Sequence, residues 1–163
     1  MKPRFPSPTT PAGAYFSGDR VHRYVLWRVW KQSRPLIAFL GLNPSTADET
    51  ANDPTVRRCI GFARDWGGGG LLMLNIFAFR ATDPRVMYAA KNPIGRWNNA
   101  ALLHYRQVVD RAIAAWGVHG AFLDRGAWVT ANVSALEALG RTKDGAPRHP
   151  LYLKKTLRPS PFN

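Results

Sequence analysis

Three short runs of unbroken apolar residues constrain this chain most: Leu36-Ile37-Ala38-Phe39-Leu40, Leu71-Leu72-Met73-Leu74 and Ala112-Ile113-Ala114-Ala115-Trp116. Each is of strand length and bounded by turn residues. A strand that is apolar at every position is one buried on both faces. Helix-period segments lie between the runs. Asp53 is a candidate N-cap, Pro54 suits the first helical position, and Val56, Cys59, Ile60 and Ala63 recur at helical spacing. Trp66 and the glycines from Gly67 to Gly70 end that helix. Further helices are expected from Pro84, near residues 97–108 and over 126–138. The β-branched and aromatic segment Tyr24 to Trp30 reads as another strand, and a short strand is expected near 139–141. The expected fold class is α/β, a three-layer α/β/α sandwich with a mostly parallel central sheet.

The chain has 163 residues and a mass of 18.2 kDa, which suits one domain with a real core. Residues 1–13 hold four prolines and read as an extended arm before a single domain over 14–163. No window approaches the roughly 20 apolar residues of a membrane span, and the first residues do not form a secretory signal. Cys59 is the single cysteine, which excludes a disulfide within the chain, a cysteine-based zinc site and a four-cysteine iron–sulfur cluster. A cytoplasmic protein is the simplest expectation. His22, His104 and His119 lack metal-ligand spacing, so no metal and no cofactor are assigned.

The formal net charge is +13. Residues 1–40 carry seven Lys/Arg against Asp19, and residues 141–163 carry six against Asp144, whereas the middle is near balance. Excess cation at both ends points to a polyanion partner, DNA first, with RNA or nucleotides as further options. The competing reading is a basic solubilising surface.

In parallel sheets, ligands sit beyond the carboxyl ends of the strands. Asn43 follows the first apolar run, Asn75 the second, and His149 lies in the loop after the last expected strand. Three polar groups distant in sequence thus converge on one crevice. An amide at Asn43 can orient a water, one at Asn75 can pair with a base edge, and His149 can donate to a departing anion. The plain alternatives are an Asn-Pro turn, a strand-end cap and a loop histidine. Asp48 or Asp53 is the candidate general base, against helix capping for Asp53. The run Gly67 to Gly70 is not a phosphate loop, because it follows a helix and opens a strand.

From about Arg23 to Leu153 the chain resembles a bacterial and phage family known as a domain of unknown function. The matching stretches are Gly41 to Asp48, Asp53 to Arg58, Asn75 to Pro84, Ala115 to Gly117 and Pro147 to Tyr152. More distantly it resembles the uracil-DNA glycosylase superfamily. Gly41-Leu42-Asn43-Pro44 is similar to that superfamily's first motif, Leu72-Met73-Leu74-Asn75 to its base-reading strand, and Arg148-His149-Pro150-Leu151-Tyr152 to its final His-Pro loop. This resemblance implies a uracil-DNA glycosylase-like fold. It makes Asn43 the water-positioning residue, Asn75 the base reader and His149 the leaving-group stabiliser. Leu151 or Tyr152 becomes the wedge that helps extrude a base. Arg148, Lys154, Lys155 and Arg80 become backbone contacts. Phe62, Trp66 and Phe77 are candidates for stacking on the base. Ser45 stands where strict uracil enzymes carry a bulky tyrosine, which leaves room for thymine or a larger 5-substituent. Leu151 departs from the serine usual after His-Pro.

The expected function is a DNA N-glycosylase-like hydrolase that releases a mismatched or modified base. A non-catalytic nucleic-acid-binding module on the same fold is one alternative. A hydrolase of free nucleotides or nucleosides, using Asp48 or Asp53, is another.

Overall fold

A computed structural model describes residues 2–163. Its centre is one seven-stranded sheet. The strands are β1 (Ala12–Phe16), β2 (Arg23–Val29), β3 (Leu36–Gly41), β4 (Gly70–Asn75), β5 (Arg111–Ala114), β6 (Leu136–Ala138) and β7 (Ser160–Pro161), in the spatial order β1-β2-β4-β3-β5-β6-β7. Four helices accompany them: α1 (Pro54–Asp65), α2 (Pro84–Ala89), α3 (Asn98–Val108) and α4 (Arg125–Asn132). A broken 3-10 segment, Val118–Asp124, leads into α4.

The three apolar runs form the parallel heart of the sheet. β3 pairs with β4 and with β5, and β5 with β6, all in parallel. Along β3, Ile37 and Phe39 enter one core cluster while Ala38 and Leu40 enter the other, as strand pleating requires. β4 divides its side chains the same way. α1 covers one face through Val56, Cys59, Phe62 and Ala63. Phe39 stacks against Phe62 and Trp66 there, at 6.3 and 5.7 Å between ring centres. α2, α3 and α4 contribute Met87, Ala101, Leu102, Tyr105 and Val129 to the opposite face.

The sheet is mixed, which corrects the expectation of a mostly parallel one. β1–β2, β2–β4 and β6–β7 pair antiparallel, equal in number to the parallel pairs. The first two come from a hairpin whose second strand inserts beside β4 without a helical crossover. Its first strand begins at Ala12, inside the stretch expected to be an arm. Residues 2–11 form no helix or strand. They lie against α3, where Phe5 packs on His104 and Tyr105 and the Tyr105 hydroxyl donates to the Pro6 carbonyl at 2.8 Å.

The helix expected over 126–138 ends at Asn132. Val129, Val133 and Leu136 continue a helical period, but Ala135 takes a left-handed φ of 52°, and Leu136–Ala138 pairs with β5 instead. A three-residue strand is too short to announce itself by alternation. Among the described residues, no helix is long and apolar enough to cross a membrane.

Asn163 staples this last region. Its Nδ2 donates to the Thr130 and Val133 carbonyls at 2.7 and 2.8 Å, and its Oδ1 accepts from the Leu136 N–H at 2.7 Å. Asn163→Ala removes all three contacts, and chemical denaturation is expected to show a loss of about 1–2 kcal/mol. An unchanged midpoint would mean that water replaces the staple at no cost.

Candidate functional site

The carboxyl ends of β3, β4 and β5 open into a cavity of about 620 Å³, within the range of small-molecule sites. Local hydrogen bonding builds its walls. Beyond the end of β3, the Ile76 and Phe77 N–H groups donate to the Gly41 and Leu42 carbonyls, and the Ala81 N–H donates to Pro44. These bonds zip segment 41–44 onto segment 76–81. The last loop closes the far side, because the Gly117 N–H donates to the Pro147 carbonyl at 2.9 Å and the Arg148 N–H donates to Gly140.

Asn43 lines the cavity with its amide fixed. Its Nδ2 donates to the Ala81 carbonyl at 2.8 Å, to Pro44 at 3.1 Å and to Phe79 at 3.4 Å. Three carbonyls around one end of the amide identify that end as nitrogen. Among the described residues the Oδ1 accepts no hydrogen bond, so Asn43 offers an acceptor. Asn75 is fixed in the opposite sense. The Arg23 Nη2 donates to its Oδ1 at 3.1 Å, and an arginine can only donate. Its Nδ2 has no partner among the described residues, so Asn75 offers a donor.

Gly41 permits this arrangement. It lies opposite Asn75 in the parallel register. A Cβ there would sit 2.9 Å from the Asn75 Nδ2 and 3.1 Å from the Met73 Cε.

His149 lies at the mouth and keeps contact with solvent. The Leu151 N–H donates to its Nδ1 at 3.2 Å. In the neutral ring the proton therefore sits on Nε2, as a further donor. Partial burial lowers its pKa below the ordinary 6.5, and the negative charge of Asp53 works against that shift. Arg148, Leu151 and Tyr152 line the same mouth, as does Ser45 on the first loop. Tyr152 is 94% exposed and holds a left-handed φ of 70°.

Asp48 does not reach the cavity, which corrects its assignment as a catalytic carboxylate. Its Oδ1 accepts from the Ala51 and Thr50 N–H groups at 2.8 and 3.0 Å. These bonds hold its pKa below the ordinary carboxylate value and make it a turn-former. Asp53 is the carboxylate that lines the cavity, and it also caps α1 by accepting from the Val56 N–H at 2.8 Å. Both roles fit one residue because the amino end of α1 forms part of the wall.

Phe77 is fully buried in the core, 5.6 Å from Phe122 between ring centres, and is no base-binding surface. Phe62 and Trp66 belong to the cluster under α1. Trp116 stands in the cavity wall, with Tyr152 at the mouth. Arg80, Lys154 and Lys155 lie outside the cavity. Arg80 sits 4.8 Å from the Phe16 ring, and the two lysines are exposed on the turn beyond Leu153.

Sequence reasoning missed Arg23. It is 2% exposed, lines the cavity and opens β2. Its one legible signal was a cation directly before an apolar strand. His119 was also missed as a wall residue; its Nδ1 pairs with the Tyr88 hydroxyl at 2.6 Å. Among the described residues, no group of His, Cys, Asp or Glu is arranged to hold a metal ion.

A family model described as protein of unknown function (DUF1643) matches residues 23–151. The chain belongs to this family. The match runs from Arg23 to Leu151 and so takes in Arg23, Asn43, Asp53, Asn75, Arg148 and His149, with Tyr152 just beyond it. No curated protein and no solved structure matches the chain.

Gly41→Ala is expected to cost about 1–3 kcal/mol through overpacking and to move the Asn75 side-chain amide signals in an NMR spectrum. Wild-type stability with unmoved signals would show that the close approach is not needed.

Proposed function

We propose that this protein hydrolyses the bond between a base and deoxyribose in DNA, releasing a mismatched or modified base. The observation that carries the reading is the complementary polarity of the cavity. One wall offers an unpaired acceptor, the Asn43 Oδ1. The floor offers an unpaired donor, the Asn75 Nδ2. The mouth offers a second donor, the His149 Nε2–H.

Each group has a chemical task in that reaction. As the bond from C1′ to the base nitrogen breaks, its electron pair moves onto the base and the sugar gains cationic character. Asn43 accepts a proton of the attacking water in a hydrogen bond and so directs the water's oxygen at C1′. An amide does not take that proton at neutral pH, and Asp53 is the carboxylate available to receive it. Asn75 donates to an acceptor on the base edge. Neutral His149 donates to the oxygen on which negative charge develops. Tyr152, exposed beside the mouth, suits the wedge that replaces an extruded base in the stack. Ser45 leaves the cavity open where a bulkier residue would exclude 5-substituted pyrimidines. The exposed Arg148, Lys154 and Lys155 extend a cationic rim toward the phosphates.

A second reading, a binding module without catalysis, has one observation in its favour. One oxygen of Asp53 is already committed to capping α1.

Oligonucleotides carrying uracil, thymine mismatches, hydroxymethylated or glycosylated pyrimidines and deaminated purines separate the two. Abasic product is expected from at least one of them. Asn43→Ala and His149→Ala should each slow its formation by about 10²–10³-fold. Salt-dependent binding without product across the panel would favour the binding module.

The rate should also depend on pH in one direction. His149 must be neutral to keep the Leu151 N–H on its Nδ1, and its lowered pKa keeps it neutral to more acid pH than a free imidazole. The rate should therefore hold through pH 7 and fall only below the ordinary imidazole value of 6.5. That acid limb should vanish in His149→Asn. A limb that persists there would show that it does not come from His149.

A further inference from the structure

We propose that Arg23 is a positioning residue that acts through Asn75 and makes the cavity select the anionic form of a released base. The inference rests on the base-release reading and deepens it by naming the charge state that the floor of the cavity recognises.

Arg23 is a cation without an ion pair. It is 2% exposed, and its contacts are the Ala47 carbonyl at 3.0 Å and the Asn75 Oδ1 at 3.1 Å. Its Nε is buried with no hydrogen-bond partner. The three salt bridges among the described residues all lie elsewhere. Burying an unpaired guanidinium is unfavourable, and burial pulls its pKa down to about 10, still far above neutral pH. A fold that needed only to tie β2 to β4 has a cheaper solution in a neutral amide.

What the cation adds is polarisation. Donation from Arg23 into the Asn75 oxygen draws electron density from the amide and strengthens its N–H as a donor. The free Nδ2 thus presents a charge-assisted donor at the end of a locked side chain. Such bonds are roughly twice as strong as neutral ones when the acceptor carries charge. A departing base carries its negative charge on ring nitrogen and carbonyl oxygens, so the pair stabilises the product anion more than the neutral base. Asp53 opposes this field in part, since its charge reaches both Arg23 and His149. Arg148 at the rim reinforces it.

The test uses two free bases at neutral pH: uracil, which is neutral, and 5-nitrouracil, which is anionic. Calorimetry on the full chain is expected to show the anion bound at least about tenfold more tightly. Arg23→Gln, which removes the charge and keeps a polar amide, should bring that ratio close to one. A separate variant reads the charge of Arg23 without any ligand. Asn75→Asp removes no hydrogen bond made by Nδ2 and gives Arg23 a carboxylate partner, so its melting temperature should rise above wild type while anion binding is lost.

A wild-type ratio retained in folded Arg23→Gln overturns the inference, as does a melting temperature below wild type in Asn75→Asp. Equal binding of the two bases by the wild type overturns it while leaving base release standing. A wild type that binds neither base overturns the base-release reading and the inference together.

Discussion

The close approach of Gly41 to Asn75 across the parallel β3–β4 ladder is the contact on which the site depends. It places a side-chain amide close over the glycine, where a Cβ would press to 2.9 Å on the amide nitrogen. Because the ladder continues past both strand ends through Ile76 and Phe77, the two loops leave the sheet together. Asn43 can then reach across and donate to the carbonyls of Phe79 and Ala81. One register therefore fixes the orientation of both amides. A slip of one residue would turn each strand's side chains to the other face and separate the two groups.

The cavity is also defined by its charge. It holds one carboxylate, Asp53, against Arg23 and Arg148. Asp48 and Glu49, close by in the sequence, face elsewhere, with Asp48 closing a turn and Glu49 pairing with Arg20 at 2.6 Å. Arg28 anchors that turn from below by donating to the Asp48 and Ala51 carbonyls. Asp48 and Glu49 thus shape the loop between β3 and α1, while Asp53 and the two arginines supply the electrostatics of the cavity.

Much of the fold was legible because its signals were local. The apolar runs of β3, β4 and β5, the Asp53 cap with Pro54, and Pro84 announced strands and helices where they stand. The site was legible to the extent that strand ends are: Asn43, Asn75 and His149 all line the cavity. Asp48 and Phe77 misled for opposite reasons. Asp48 sits in a chemically suggestive motif, but its oxygen is taken by its own turn. Phe77 lies two residues past the cavity residue Asn75, yet the chain turns there and drives its ring into the core. β6 and β7 are too short to carry a pattern, and their pairing depends on Asn163 meeting residues about 30 positions away.

The sequence alone determined the segments of β2 to β5 and of α1 to α3, that the middle strands are buried on both faces, and that polar groups end them. Those properties follow from side-chain polarity and backbone preference within a few residues. The tertiary structure decided that a hairpin joins the sheet antiparallel beside β4, that Asp53 rather than Asp48 faces the cavity, and that Arg23 lies unpaired beneath Asn75. These depend on which distant segments share a face, and a side chain's hydrogen-bonding and charge are set by such neighbours rather than by its own identity.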